Sequence, residues 1–274
     1  MSVDGITKVY NADQTGCFFE YLPKKTVDCV GAPTVWVRCG GKDKERATAM
    51  LLADSDGVKH PLFLVFKSKS SSVPETCEEN AVERHGWGEV NWSMIEPLQM
   101  LHNCQIYGNE SAWWNADLSV AFLEFHFGQR HNMEEKILLV WDAFSAHWTD
   151  AVQAKAAELN VILMEVPASY SWCCQPADVG WNKPLKDGLR SRWISYLMKT
   201  LKNYDKSQPF QFTPPSHNTI IEWIADSFDD LSKTVITNGF RATKWLVPDD
   251  FPLPDPHDFN DPVLPELLGA LKEL

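Results

Sequence analysis

The most constraining feature of the sequence is the run Ile137-Leu138-Leu139-Val140-Trp141, an apolar stretch with no polar interruption, closed at once by Asp142. A strand with one wet face alternates apolar and polar side chains. An unbroken run therefore marks a strand covered on both faces, inside an α/β sheet. An acid directly after it stands where the strand leaves the core, the place at which side chains converge on a crevice in such folds.

Ahead of this run the chain is strand-like and broken by turns. Lys8–Ala12 leads to Asp13, Cys17–Leu22 stops at Pro23, and Thr34–Cys39 is closed by Gly40-Gly41. Ala47–Ala53 and Leu62–Phe66 flank the turn composition Asp54-Ser55-Asp56-Gly57. Short strands with tight turns predict an antiparallel meander. The polar stretch 68–92 predicts a loop, and residues 93–102 carry mixed helical spacing. Asn115 or Ser111 is placed to cap a helix bearing Leu118, Phe122 and Phe125. Beyond the central run, Thr149 opens a helix to about Leu159, and Val161–Val166 is a further apolar strand. A longer helix over 178–201 repeats Leu185, Leu189, Trp193, Leu197 and Leu201 at every fourth position, and Thr219–Leu231 is amphipathic.

The order meander, helix, strand, helix, strand, helix is that of an RNase H-like α/β fold, with a mixed five-stranded sheet (antiparallel meander plus parallel strands) flanked by helices. The core is expected over 1–202, with a loop and helical insertion at about 68–112. A helical extension and an acidic Pro/Asp-rich tail are expected over 203–274.

MSVDGITKVYNADQ lacks the apolar stretch of a signal peptide, and no apolar run is long enough to predict a membrane span. The seven cysteines, Cys17, Cys29, Cys39, Cys77, Cys104, Cys173 and Cys174, are scattered without CxxC pairs, as in an intracellular protein with reduced thiols. No G-x-S-x-G elbow accompanies Ser145 and His147, which argues against a serine hydrolase. The net charge of −12 argues against nucleic-acid binding by bulk charge. Its distribution is uneven, net +2 over 1–72 and −7 in each of 73–202 and 203–274, so a nucleic-acid partner must use local basic patches.

Three acids occupy positions suited to a shared site: Asp13 after the first strand, Asp142 at the end of the central strand and Asp178 at the start of a long helix. Hard carboxylate oxygens are what a pair of Mg²⁺ or Mn²⁺ ions requires, and such acids repel one another without cations. Asp is also common at turns and helix caps, and each of the three has that structural alternative.

The stretches YNADQTG (10–16), LLVWDAFSAH (138–147) and CQPADVGWNKPLK (174–186) resemble blocks of the DDE superfamily endonuclease domain of pogo/Tigger/jerky-type transposases, a domain related to one in centromere protein B. The likeness runs from about residue 8 to about residue 200 and includes KERATAMLLADSDGVKHPLFLVFKSK and AWWNADLSVAFLEFHF. By this resemblance Asp13, Asp142 and Asp178 match the family's metal-binding catalytic acids, with two Mg²⁺ (or Mn²⁺) as cofactors. Ala143 and Ala146 depart from the Asn and Gly frequent in the second block. The resemblance implies a nuclear, metal-dependent DNA endonuclease and strand transferase, partnered by transposon ends and target DNA and working as a homodimer. The helix-turn-helix modules that recognise element ends are expected outside this chain. The alternative is a domesticated or decayed DNA- or protein-binding module without catalysis.

Around the acids, His147 either approaches the scissile phosphate or fixes its loop. Gln175, with Pro176, shapes the turn that delivers Asp178. Lys183, Lys186 and Arg190 recur at helical spacing and either touch the DNA backbone or form a solvated face. Lys42, Lys44 and Arg46 form a second basic cluster with the same two readings. Trp113-Trp114 either stacks on an unpaired base or packs against the following helix.

Overall fold

The computed structural model describes residues 5–21, 40–42, 44–203, 207 and 212–245. The expected strand Thr34–Cys39 and the Pro/Asp-rich tail lie outside them. The first strand, β1 (Ile6–Phe18), is continuous over 13 residues. The runs expected on either side of Asp13–Gly16 are therefore one element, and Asp13 lies within it rather than after it. An unbroken antiparallel ladder with β2 (Arg46–Asp54), from Tyr10↔Asp54 to Phe18↔Arg46, overrides the turn-like composition around Gly16. β2 continues antiparallel into β3 (Leu62–Lys67). Asp54 closes the connection, its Oδ1 accepting the backbone N–H groups of Asp56 and Val58 at 3.0 Å each, with Gly57 at φ +81°.

The insertion after β3 holds α1 (Pro74–Glu83) and α2 (Glu89–Leu101). It also holds a strand, β4 (Cys104–Asn109), parallel to β3 from Leu62↔Cys104 to Lys67↔Asn109. The sheet accordingly has six strands rather than the expected five, in the order β4-β3-β2-β1-β5-β6. Only Cys104 and Ile106 of β4 are buried, too short an alternation to announce a strand, and the helical crossover α1–α2 is what makes parallel pairing reachable. With β4 set aside, the order β3-β2-β1-β5-β6, in which β2 alone runs opposite, is the RNase H-like arrangement.

α3 (Ala116–Phe127) is capped by Asn115, whose Oδ1 accepts from Leu118 N at 2.9 Å. β5 (Lys136–Asp142), α4 (Asp150–Glu158) and β6 (Val161–Val166) complete the parallel half. There follow the short α5 (Ser171–Cys174), a π-helical turn Ala177–Trp181, α6 (Asn182–Lys202), α7 (His217–Asp229) and α8 (Lys233–Ala242). One sheet face packs Met50, Phe63, Leu139 and Trp141 against Leu118, Phe122 and Val152 of α3 and α4. The other packs Cys17, Leu51, Leu64 and Phe66 with apolar residues of α6, α7 and α8, including Leu185, Ile224 and Phe240.

Helix α8 seats the π-helical turn by backbone contact. A Cβ on Gly239 would stand 2.6 Å from Pro176 O and 2.7 Å from Trp181 Nε1, and Gly180 meets Gly239 from the facing side. Trp181 Nε1 donates to Ile236 O at 3.2 Å across the same contact. Overpacking a close backbone crossing typically costs about 1–3 kcal/mol. Gly239→Ala is expected to lower the unfolding free energy by that amount, read as a lower urea midpoint with the slope unchanged. An unchanged midpoint would show that the crossing is not close-packed in solution.

Candidate active site

β1 and β5 run parallel in a register that ends at Asn11↔Val140. Side chains alternate between sheet faces, so Asp13 and Asp142, two residues further on, face the same side as that pair, toward α6. Asn11 fastens the junction. It is fully buried, its Nδ2 donates to Val140 O at 2.9 Å, and its Oδ1 accepts from Ala177 N at 2.9 Å. One side chain thus ties β1 to β5 and to the π-helical turn that carries Asp178. Such turns are rare and frequent at functional sites.

Asp13 is 6% exposed, and both of its oxygens accept amide hydrogens. Gln175 Nε2 donates to Oδ1 at 2.7 Å, and Asn182 Nδ2 to Oδ2 at 2.5 Å. The same Asn182 nitrogen donates to Asp178 Oδ1 at 2.8 Å. The two carboxylate oxygens it joins are at most 5.3 Å apart, the sum of the 2.5 and 2.8 Å legs, a span compatible with cations roughly 4 Å apart. Burial, then the Asp178 charge, pushes the Asp13 carboxyl up to about 8; the Asn182 hydrogen bond opposes this and Asp142 adds to it. Asp13 is buried, Asp142 half-buried and Asp178 exposed, so the group opens to solvent along α6.

His147 is fully buried and stacks on Trp141, with ring centroids 3.9 Å apart and planes 14° from parallel. Its Nδ1 lies 2.8 Å from Asp142 Oδ1, close enough for a charge contact but not aligned as a hydrogen bond. A ring so enclosed is placed to orient the loop and the acid. Trp148 Nε1 donates to Asp142 O at 2.8 Å, fixing the same residue from its backbone.

Among the described residues, no three His, Cys, Asp or Glu side chains are drawn into ready ligand geometry. Both oxygens of Asp13 are engaged by amides, and one of Asp142 lies beside His147. The donor chemistry nonetheless fits a hard divalent cation, since every approaching group is a carboxylate or a carboxamide. Gln175 Oε1 and Asn182 Oδ1 are buried with no hydrogen-bond partner beside Asp13, and an isolated buried acceptor is costly.

Lys183, Lys186 and Arg190 are exposed on α6, flanking the stripe of its buried Leu185, Leu189 and Trp193. Among the described residues none of the three is ion-paired, whereas Arg192 on the same helix engages Asp226 and Asp230. The second basic cluster is divided. Lys42 pairs with Glu45 and lies over the Phe19 ring, the Arg46 guanidinium sits 4.0 Å above the Trp113 ring, and Lys44 is exposed. The tryptophan pair is divided too. Trp114 is buried and donates to Ser119 Oγ at 2.8 Å, while Trp113 is 58% exposed beneath Arg46.

Asn11 and Asn182 were not among the site residues expected from the sequence. Both carry a faint signal: Asn11 is two residues before Asp13 on one strand face, and Asn182 is one helical turn after Asp178.

The raised Asp13 carboxyl gives a signed pH dependence. Its folded value lies above the unfolded 3.8, so the native state holds a proton that the unfolded chain has lost. That contribution is full below the unfolded value and disappears as pH rises through about 8. In metal-free buffer, the melting temperature of Asp13→Asn is expected to overtake wild type progressively across this window and then hold a constant lead. A lead independent of pH would contradict the buried, acid-crowded setting.

The sequence matches the family model of the DDE superfamily endonucleases over residues 44–240, a stretch that includes Asp142 and Asp178 and begins after Asp13. It is similar to the pogo transposable element with KRAB domain of Mus musculus, at 26% identity over 238 residues, 86% of this chain and 35% of that protein. The Homo sapiens counterpart is 25% identical over the same coverage. The chain thus spans about a third of the length of these relatives. Among solved structures, the Mos1 strand transfer complex is similar with a TM-score of 0.46 at 14% identity, over 86% of this chain and 51% of that one. By its family match, which covers most of its length, the chain belongs to the DDE superfamily endonucleases.

Proposed function

We propose that this chain is the catalytic core of a cut-and-paste DNA transposase, a divalent-cation-dependent DNA endonuclease and strand transferase. The observation that carries the reading is the Asn182 amide joining Asp13 to Asp178, on the sheet face that also bears Asp142. Membership in the DDE superfamily endonucleases and similarity to pogo transposable element proteins support it.

Asp13, Asp142 and Asp178 are the residues that would hold Mg²⁺ or Mn²⁺, two ions in the full reading. Such ions supply Lewis-acid stabilisation to the attacking and leaving oxygens of a phosphodiester displacement. The chain's own contribution is placement. Gln175 and Asn182 fix Asp13 from inside the fold, while the His147–Trp141 stack backs Asp142. The exposed Asp178 faces the substrate side, and Lys183, Lys186 and Arg190 continue that face as contacts for backbone phosphates. Hydrolysis at an element end leaves a 3′-hydroxyl, and that hydroxyl attacks a phosphodiester of the target. Two ends must be held together for this, which implies a homodimer acting in the nucleus. Among the described residues no helix is long and apolar enough to cross a membrane.

A second reading, a transposase-derived binding module without catalysis, is favoured by the absence of ready ligand geometry among the described residues. Plasmid nicking with Mn²⁺ separates the two. Wild type is expected to nick, with Asp13→Asn, Asp142→Asn and Asp178→Asn each slower by on the order of 100-fold or more. Equal rates in all four proteins would reject the site, and no metal-dependent nicking by wild type would favour the module.

The α6 cations give an independent measurement. Replacing Lys183, Lys186 and Arg190 by Gln is expected to weaken duplex binding and to reduce the log–log salt slope by roughly 2–3. An unaltered slope would return them to the role of a solvated helix face.

A further inference from the structure

The carboxamide of Asn182 does two things that a simple structural hydrogen bond does not require. Its nitrogen is shared between two acids, Asp13 Oδ2 at 2.5 Å and Asp178 Oδ1 at 2.8 Å. Its oxygen, on a residue only 7% exposed, has no partner. Gln175 repeats the pattern from the other side of Asp13, with Nε2 on Oδ1 at 2.7 Å and a buried, unpartnered Oε1. Donor hydrogens directed at two carboxylates occupy the place where positive charge is wanted. A stranded acceptor oxygen at the same spot is the complementary half of that requirement.

We propose that Asn182 is a reversible stand-in for the divalent cation: its N–H₂ bridges Asp13 and Asp178 in the metal-free site, and its Oδ1 becomes an added oxygen ligand when the cation binds. This rests on the reading of Asp13, Asp142 and Asp178 as a cation site. The change needs only a turn of about 180° about the terminal torsion of the side chain, a soft two-fold rotation, with no movement of α6. Gln175 can make the same turn. The acids are thereby kept together and partly compensated before cation arrives, so the site does not spring apart by mutual repulsion.

Two roles for Asn182 predict opposite signs. If the amide only holds the acids, it competes with the cation, and Asn182→Leu should bind Mn²⁺ more tightly than wild type. If Oδ1 becomes a ligand, Asn182→Leu should bind more weakly, on the order of tenfold by analogy with other supporting groups of metal sites. The measurement is titration calorimetry of the full chain with MnCl₂ alone, with thermal melts in EDTA to establish folding. Asn182→Asp, which keeps an oxygen at the position, is expected to retain wild-type or tighter Mn²⁺ affinity while melting lower in EDTA, because it replaces the bridging donor by a further carboxyl group set against the pair.

Tighter or unchanged Mn²⁺ binding by Asn182→Leu overturns the proposal, as does loss of binding by Asn182→Asp. Asp142→Asn is the control on the underlying reading. If it binds Mn²⁺ like wild type, the cation site itself is wrong. If it loses Mn²⁺ while Asn182→Leu does not, only the role of Asn182 fails.

Discussion

A carboxylate in the middle of a β-strand, walled in by its own sheet and by a helix start, is the constraint around which this molecule is organised. Asp13 cannot reach water, so its two oxygens must be satisfied by the protein, and the groups that do so come from far along the chain. Gln175 lies before the π-helical turn and Asn182 immediately after it. That turn must therefore lie flat against β1, and Asn11 secures it there through Ala177 N. The irregular helix thus serves one buried carboxyl group from both of its ends.

Burial is then graded outward. The innermost acid is so disfavoured as an anion that its carboxyl is pushed up to about 8, while Asp178 at the rim is exposed. Asp142, between them, is backed by an aromatic–histidine stack rather than by amides. Clustered acids at the edge of a core are poorly compensated by dipoles alone, and two carboxamide oxygens beside Asp13 stand buried without a partner. An arrangement of this kind gains most from a small, highly charged ion and little from a large, soft one.

Much of this was legible in the residues. The unbroken apolar run of β5 announced a doubly covered strand, and the Asp54-Ser-Asp-Gly57 turn announced the β2–β3 hairpin. The fourfold repeat of Leu185, Leu189 and Trp193 announced α6. β4 was hidden because an edge strand with two buried side chains leaves almost no periodic trace. The continuity of β1 was hidden because Gly16 reads locally as a break, whereas the ladder with β2 that overrides it is non-local. Of the acids, the sequence placed the three near the ends of elements. It had no means of revealing that an asparagine would join two of them, since amide contacts across long separations leave no spacing rule. His147 shows the reverse case: a residue attractive by type and position is spent on holding its neighbour.

The seating of the π-helical turn on α8 has a consequence for the order of events during synthesis. The glycine that receives the turn is made long after Asp178, and the crossing between them tolerates no side chain. A nascent chain that has displayed all three acids still lacks the floor on which the third rests. The floor beneath Asp178 is complete only when α8 has been made and has docked, so the three acids reach their final setting in one late step rather than acid by acid.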